Sequence, residues 1–191
     1  LILPCESDKK DRERAKLVAK RSGIKTKEID LTGVFNSLKK LLPEADRKTL
    51  GNLKSRLRML ALYHFANKYS YLVLGTSNKS ELKIGYVTKY GDSAVDLEPI
   101  GDLYKTQVVE LAKHLQIHEE ILKSGPTAGL WKGQTDLGEI GIDYGKLDTI
   151  LETMDSRLKP ERIDPRIMGK VKKMIRKSEH KRRTPEICEL S

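Results

Sequence analysis

Apolar residues recur along this chain with two periods, and where the period changes an element is expected to end. Leu1-Ile2-Leu3-Pro4 reads as the tail of a buried strand. Asp8 to Ser22 carries Ala15, Leu17, Val18 and Ala19 at helical spacing and is closed by Gly23 in a left-handed cap position. Ile24 to Leu31 alternates as a strand does, and Thr32 caps a short helix that Pro43 ends after Leu42. From Leu50 to Ser70 a long amphipathic helix is predicted, with Leu53, Leu57, Leu60, Ala61 and His64 on one face. Tyr71-Leu72-Val73-Leu74 is a wholly apolar run stopped by Gly75, the pattern of a central parallel strand covered on both faces.

The second part reads differently. Ser77 to Asp102 is rich in Gly, Asp, Ser and Lys, too polar and turn-rich for a packed layer. Tyr104 to Leu115 is a helix, Glu119 to Lys123 a short one, and Ser124 to Gly141, with five glycines, a mobile loop. Ile142 staples the start of a helix over Asp143 to Asp155, and Pro165 opens the last one, with Ile167, Val171, Met174 and Ile175 inward. Strand and helix alternate over the first 76 residues, and helices dominate afterwards. The expected fold is therefore α/β: a doubly wound, mostly parallel sheet flanked by helices, with a helical C-terminal part.

Composition narrows the class. A chain of 191 residues with 38% hydrophobic positions fits one domain with a sizeable core. No run of 18 apolar residues occurs, so no membrane span is expected, and the charged residues just after Pro4 argue against a cleaved leader. Cys5 and Cys188 suit small thiols in a reducing cytoplasm better than a metal site or a disulfide framework. The net charge is +10, and the eight Lys/Arg against three Glu from Lys170 onward supply half of it. Such an excess points to a polyanionic partner or to a heat-adapted surface, and the scarcity of Asn, Gln, Cys and Met fits the latter.

Ligands of an open parallel sheet bind beyond the carboxyl ends of its strands, so Gly75-Thr-Ser-Asn-Lys-Ser-Glu81 is the first candidate. Gly75 allows close approach of a ligand, Thr76 and Ser77 offer hydroxyls and amides, and a helix starting after Asn78 favours an anion. Glu81, one turn in, suits Mg2+ beside phosphates, or merely reaches back to the cap in a capping box. Lys89, Asp92, Asp96, Asp102 and Lys105 follow in a Gly-bounded loop, a mixture that suits a magnesium–polyphosphate site or, equally, exchangeable surface ion pairs.

Longer motifs carry a resemblance. Gly75-Thr-x-Asn-Lys-Ser-Glu81, Thr88-Lys-Tyr-Gly-Asp92-x-x-x-Asp96-x-x-Pro99 and Leu103-Tyr-Lys105-Thr-Gln-Val108 are similar to those of ammonia-dependent NAD synthetases. So are Gly51-Asn-x-Lys-x-Arg56-x-Arg-Met59, Pro126-Thr-Ala128-x-Leu130, Asp136-x-x-Glu139-x-Gly141 and Glu179-His-Lys-Arg182-x-x-Pro185. They run in the family's order over about three quarters of the chain. The resemblance implies an adenine-nucleotide alpha-hydrolase-like fold and a two-step ligation. ATP adenylates the nicotinate carboxylate of deamido-NAD with release of pyrophosphate, and ammonia then displaces AMP. It implies that Thr76, Lys105 and Thr127 bind ATP, that Glu81 binds Mg2+ and that Asp92 holds a second metal ion. Arg56, Lys89, Asp96, His180 and Lys181 would bind deamido-NAD. It further implies a homodimer formed through helices around Leu50–Ser70. Trp131, in the glycine-rich loop, either lids the site or simply packs.

One departure stands out. The superfamily's Ser-Gly-Gly-x-Asp-Ser phosphate loop is absent, so residues 1–191 are expected to be a single synthetase-like domain lacking its N-terminal phosphate-loop segment. The competing readings are another ATP pyrophosphatase, such as a GMP synthetase-like or tRNA-thiolating enzyme, and a non-catalytic nucleic-acid-binding module built on Lys170–Arg183. None of the ten aromatic residues lies inside that basic stretch, which leaves no stacking platform and argues against nucleic acid.

Overall fold

The computed structural model of the chain describes residues 1–156 and 163–190. Among them, nine α-helices are separated by turns and two short parallel pairings. The helices are α1 Lys9–Arg21, α2 Thr32–Leu41, α3 Arg47–Tyr69, α4 Lys79–Ile84, α5 Lys105–His114, α6 Glu119–Leu122, α7 Asp136–Ile140, α8 Tyr144–Ser156 and α9 Pro165–Lys177, followed by a 3-10 turn at Glu179–Lys181.

Local chemistry explains most ends. Asp8 caps α1 through Lys10 N, and Gly23 lies just beyond it at φ +64°. Asp46 caps α3 through Thr49 N, starting that helix three residues before the expected Leu50. Thr32 is the first residue of α2 rather than its cap: Leu31 holds the cap position, and Asp30 accepts a bond from Thr32 N. Pro165 opens α9 as expected. The glycine-rich stretch 124–141 contains α7, closed by Gly141 at φ +66°, in place of the irregular loop expected. The polar stretch after Ser77 contains α4, whose Asn78 and Ser80 are buried.

Two hydrophobic clusters form the core. One gathers Cys5, Leu31, Phe35 and Leu57 under α2 and α3. The other joins Ile84, Tyr104, Ile140, Ile142, Leu147, Ile150, Leu151 and Val171, and thereby locks α4, α5, α7, α8 and α9 together. Two short strand pairings complete the described fold. Ile2 pairs in parallel with Glu28, with Ile2 N and Ile29 N bonded across at 2.8 and 2.9 Å. Leu74 pairs in parallel with Leu97, with Gly75 N donating to Leu97 O at 2.7 Å.

The second pairing departs from expectation. Of the run expected to be covered on both faces, only Val73 is buried, whereas Tyr71, Leu72 and Leu74 are 68%, 70% and 60% exposed. Leu60 and His64 of α3, assigned to an inward stripe, are exposed as well. A continuous apolar run shows that a segment can be covered, but its coverage depends on what neighbours it.

Candidate active site

The pairing of Leu74 with Leu97 sets α4 and α5 side by side just beyond Gly75. Glu81 stands in the first turn of α4 and Lys105 is the first residue of α5, and Lys105 Nζ lies 2.9 Å from Glu81 Oε1. Glu81 forms the capping box that its position allows. Its Oε2 accepts the Asn78 amide at 3.2 Å, while Asn78 Oδ1 accepts the Glu81 amide at 3.0 Å, completing a capping box. The other oxygen faces Lys105.

The backbone around Lys105 is committed. Its amide donates to Ser80 Oγ at 2.9 Å, and the Thr106 amide donates to Asp148 Oδ2 at 2.8 Å. Asp148 is buried and also accepts a bond from Ser80 Oγ. These first amides of α5 are therefore spent on protein groups, and Lys105 faces a ligand through its ammonium alone. Sequence reasoning missed Asp148; its signal is a carboxylate set between Leu147 and Leu151 on an otherwise apolar face.

A second group lines α3. Arg56 donates through both Nε and a terminal nitrogen to Lys89 O, at 3.3 and 3.2 Å. Asp92 Oδ1 accepts from Ser55 Oγ at 2.7 Å and from Thr88 N at 3.0 Å. Asp96 accepts from Val73 N at 2.7 Å and from Tyr63 OH at 3.3 Å. Ser55 and Arg56 are neighbours and Tyr63 follows about two turns later, so α3 holds the Thr88–Asp96 loop at Lys89, Asp92 and Asp96. Tyr90, at φ +62° with no glycine's freedom, sits at the apex beside Lys89 and Gly91.

Lys181 reaches this region from the far end of the chain. Its ammonium donates to Gly85 O and Val87 O, both at 2.7 Å, and burial lowers its pKa. His180 is exposed, as is Thr76. Glu98 packs over Gly75 and accepts from Ser77 N at 3.1 Å. Burial raises its pKa, and the charges of Asp92 and Glu81 add to that rise, which ties these three carboxylates to one neighbourhood. Thr127 lines a cavity of about 260 Å³ with Ile2, Ser7 and Arg58, and its hydroxyl donates to Gln134 O at 2.8 Å. A larger depression of about 450 Å³ between α1 and α6 holds none of the predicted residues. Trp131 packs on Gly51 of α3, with Arg47 over its ring, so packing is its observed role.

Behind Glu81 lies a cluster that sequence reasoning did not single out residue by residue. The Tyr144 hydroxyl donates to Asp136 Oδ2 at 2.8 Å and lies 3.4 Å from Glu81 Oε1. Tyr86 OH and Gln134 Nε2 both donate to Glu139 Oε2, at 2.7 and 2.6 Å. Burial raises the pKa of Asp136, Tyr86 and Tyr144.

This arrangement can hold an anion at Lys105 and a cation at Glu81. Among the described residues no three His, Cys, Asp or Glu side chains gather to hold a metal unaided. Glu81 alone still fits Mg2+, which usually takes one or two carboxylates and completes its shell with water and substrate phosphates.

Comparison with known proteins is consistent across sequence and structure. A family model described as NAD synthase matches residues 1–185. The NH(3)-dependent NAD(+) synthetase of Pyrococcus horikoshii is 47% identical over 193 residues, covering 97% of this chain and 75% of that protein. Its namesake from Methanocaldococcus jannaschii is 45% identical over 201 residues, covering 100% and 78%. Among solved structures, NMN synthetase from Francisella tularensis superposes with a TM-score of 0.90 at 31% identity, over 99% of this chain and 77% of the other. NH3-dependent NAD synthetase from Campylobacter jejuni gives 0.83 at 31% identity, over 98% and 76%.

Proposed function

Since this chain belongs to the NAD synthase family and works as a carbon–nitrogen ligase of ammonia-dependent NAD synthesis, we propose how its own residues serve that reaction. A carboxylate oxygen of deamido-NAD attacks the α-phosphorus of ATP, and the bond to pyrophosphate breaks. Ammonia then attacks the acyl carbon, AMP leaves with the electron pair of the C–O bond, and one proton leaves the nitrogen. The carboxylate is a poor electrophile until adenylation turns its oxygen into a leaving group. Nothing in this scheme requires a covalent enzyme intermediate.

The observation that carries the assignment is the Glu81–Lys105 pair at the mouth of α4 and α5. Lys105 neutralises charge gathering on the leaving pyrophosphate, with Thr76 and Thr127 as further ATP contacts. Glu81 would hold Mg2+, whose chemistry is to offset phosphate charge, and Asp92 a second ion. Asp92 would do so with its Oδ2, because Oδ1 is bonded to Ser55 and Thr88. Arg56 and Lys89, which meet through the Lys89 carbonyl, bind deamido-NAD with Asp96, His180 and Lys181. The reading extends to a doubly wound, mostly parallel sheet in a single domain of the adenine-nucleotide alpha-hydrolase-like class. It also extends to a homodimer and a cytoplasmic setting. Exposed Leu60, Tyr69, Tyr71 and Leu72 favour an apolar interface at α3, and no described helix is long and apolar enough to cross a membrane.

The test is formation of NAD and AMP from deamido-NAD, ATP, Mg2+ and ammonium, run beside the corresponding mononucleotide substrate. NAD formed in preference to the mononucleotide product supports the reading. Preference for the mononucleotide would reassign the substrate, and no AMP under saturating conditions would sink the mechanism. Glu81→Gln is expected to lose turnover while remaining folded, and full activity would remove it from the metal site.

A further inference from the structure

We infer that Tyr144 is a positioning residue for the Glu81–Lys105 pair, anchored from behind by Asp136; this rests on the roles proposed above for that pair. Tyr144 touches both members. Lys105 Nζ lies 5.2 Å from the centroid of its ring, and its hydroxyl oxygen stands 3.4 Å from Glu81 Oε1. The hydroxyl has a single proton and two carboxylates within reach. At 2.8 Å, Asp136 Oδ2 holds it more closely than Glu81 does. Glu81 Oε2 is meanwhile fixed by the Asn78 amide. The carboxylate is therefore confined from two sides, by a backbone amide and by a tethered phenol, while Oε1 remains turned toward Lys105.

An independent observation supports the tether. Asp136 is 3% exposed, and its Oδ1 has no hydrogen-bond partner among the described residues. A buried acceptor left unpaired costs about 1–3 kcal/mol. The shortest side-chain bond Asp136 accepts comes from Tyr144, which also contacts both candidate site residues. Burial raises the Asp136 pKa, and the Tyr86 hydroxyl lies close enough to work against that rise, as Tyr144 does. Tyr144 and Asp148 are also one turn apart on α8, so the helix that orients the side chains of the pair orients the first amides of α5 as well.

The experiment compares wild type with Tyr144→Phe and Tyr104→Phe. Tyr144→Phe keeps the ring beneath Lys105 and removes only the hydroxyl. Tyr104→Phe deletes a similar hydroxyl that bonds Asp155 and neither Glu81 nor Asp136. One readout is turnover, with kcat and KM taken separately. The other is the Kd of Mn2+ in the presence of a non-hydrolysable ATP analogue, followed by the paramagnetic resonance of free Mn2+. Tyr144→Phe is expected to lower kcat about tenfold, to weaken Mn2+ about fivefold and to leave KM for deamido-NAD within about twofold. Tyr104→Phe is expected to leave the Mn2+ Kd unchanged. Equal behaviour of the two variants, or unchanged kcat and Mn2+ affinity in Tyr144→Phe, would overturn the inference. Should Tyr144→Phe not fold, Asp136→Ala reads the same tether by the same two measurements. A wild type that binds Mn2+ but makes no NAD would overturn the function while the Mn2+ comparison still decides Tyr144, and one that does neither overturns both.

Discussion

Gly85 offers a quantitative check on how the C-terminal segment is docked. It closes α4 at φ +67°, its carbonyl accepts the Lys181 ammonium, and an added methyl would overlap Cβ and Oγ of Ser178 while standing 3.4 Å from its Cα. Gly23 closes α1 at nearly the same dihedral, φ +64°, with nothing within 4 Å. Left-handed backbone costs an alanine about 1–2 kcal/mol at either position. Overpacking adds about 1–3 kcal/mol at Gly85 alone. Moving Ser178 also disturbs its bonds to Met174 O and Arg182, each 2.8 Å long and worth about 0.5–1.5 kcal/mol. Gly23→Ala should thus lose about 1–2 kcal/mol and Gly85→Ala about 3–8 kcal/mol by summing these contributions. Paired urea melts at a common m-value give the difference directly, and the unfolded-state entropy lost on replacing glycine by alanine cancels between the variants. Gly85→Ala should also raise KM for deamido-NAD, because Ser178 leads directly into His180 and Lys181. Equal stability losses for the two variants would refute the docking argument.

Leu147→Ala should lose about 2–5 kcal/mol, since Leu147 is fully buried where α4, α5, α8 and α9 meet; a loss below about 1 kcal/mol would place the core elsewhere. Arg56→Ala should raise KM for deamido-NAD more than KM for ATP in steady-state assays, and an equal rise would contradict its role. Glu28 accepts bonds from Lys16 and Arg12, which hold its carboxyl below the usual range. Its contribution to stability is therefore full above the ordinary glutamate pKa and lost as pH falls through the lowered one. The Tm gap between wild type and Glu28→Gln should accordingly be largest near neutrality and close on acidification, and a gap that widened in acid would contradict the sign.

The sequence showed the site's charged residues better than the surroundings that orient them. Helix ends set by local chemistry, such as Asp8, Gly23 and Pro165, were legible because a cap or a fixed dihedral acts within a few residues. Glu81 was legible as a residue but not as a geometry: its capping bond and its contact with Lys105 coexist, one on each oxygen. Asp148 and Tyr144 were missed because their partners, Asp136 aside, lie between 39 and 68 positions away and follow no period. Leu60, Leu72 and Leu74 misled for the converse reason, since apolarity reports a capacity for burial and the neighbours decide whether it is used.

The grip of Lys181 on Gly85 O and Val87 O, 96 and 94 residues back along the chain, has a thermodynamic consequence. The C-terminal helix and the end of α4 cannot open independently, because undocking one strips two carbonyls of their donor. Slow exchange of the amide protons around Ile84 to Thr88 should then report the undocking of α9. A dinucleotide held by His180 and Lys181 would slow that exchange, and by reciprocity a better-docked helix would bind the dinucleotide more tightly.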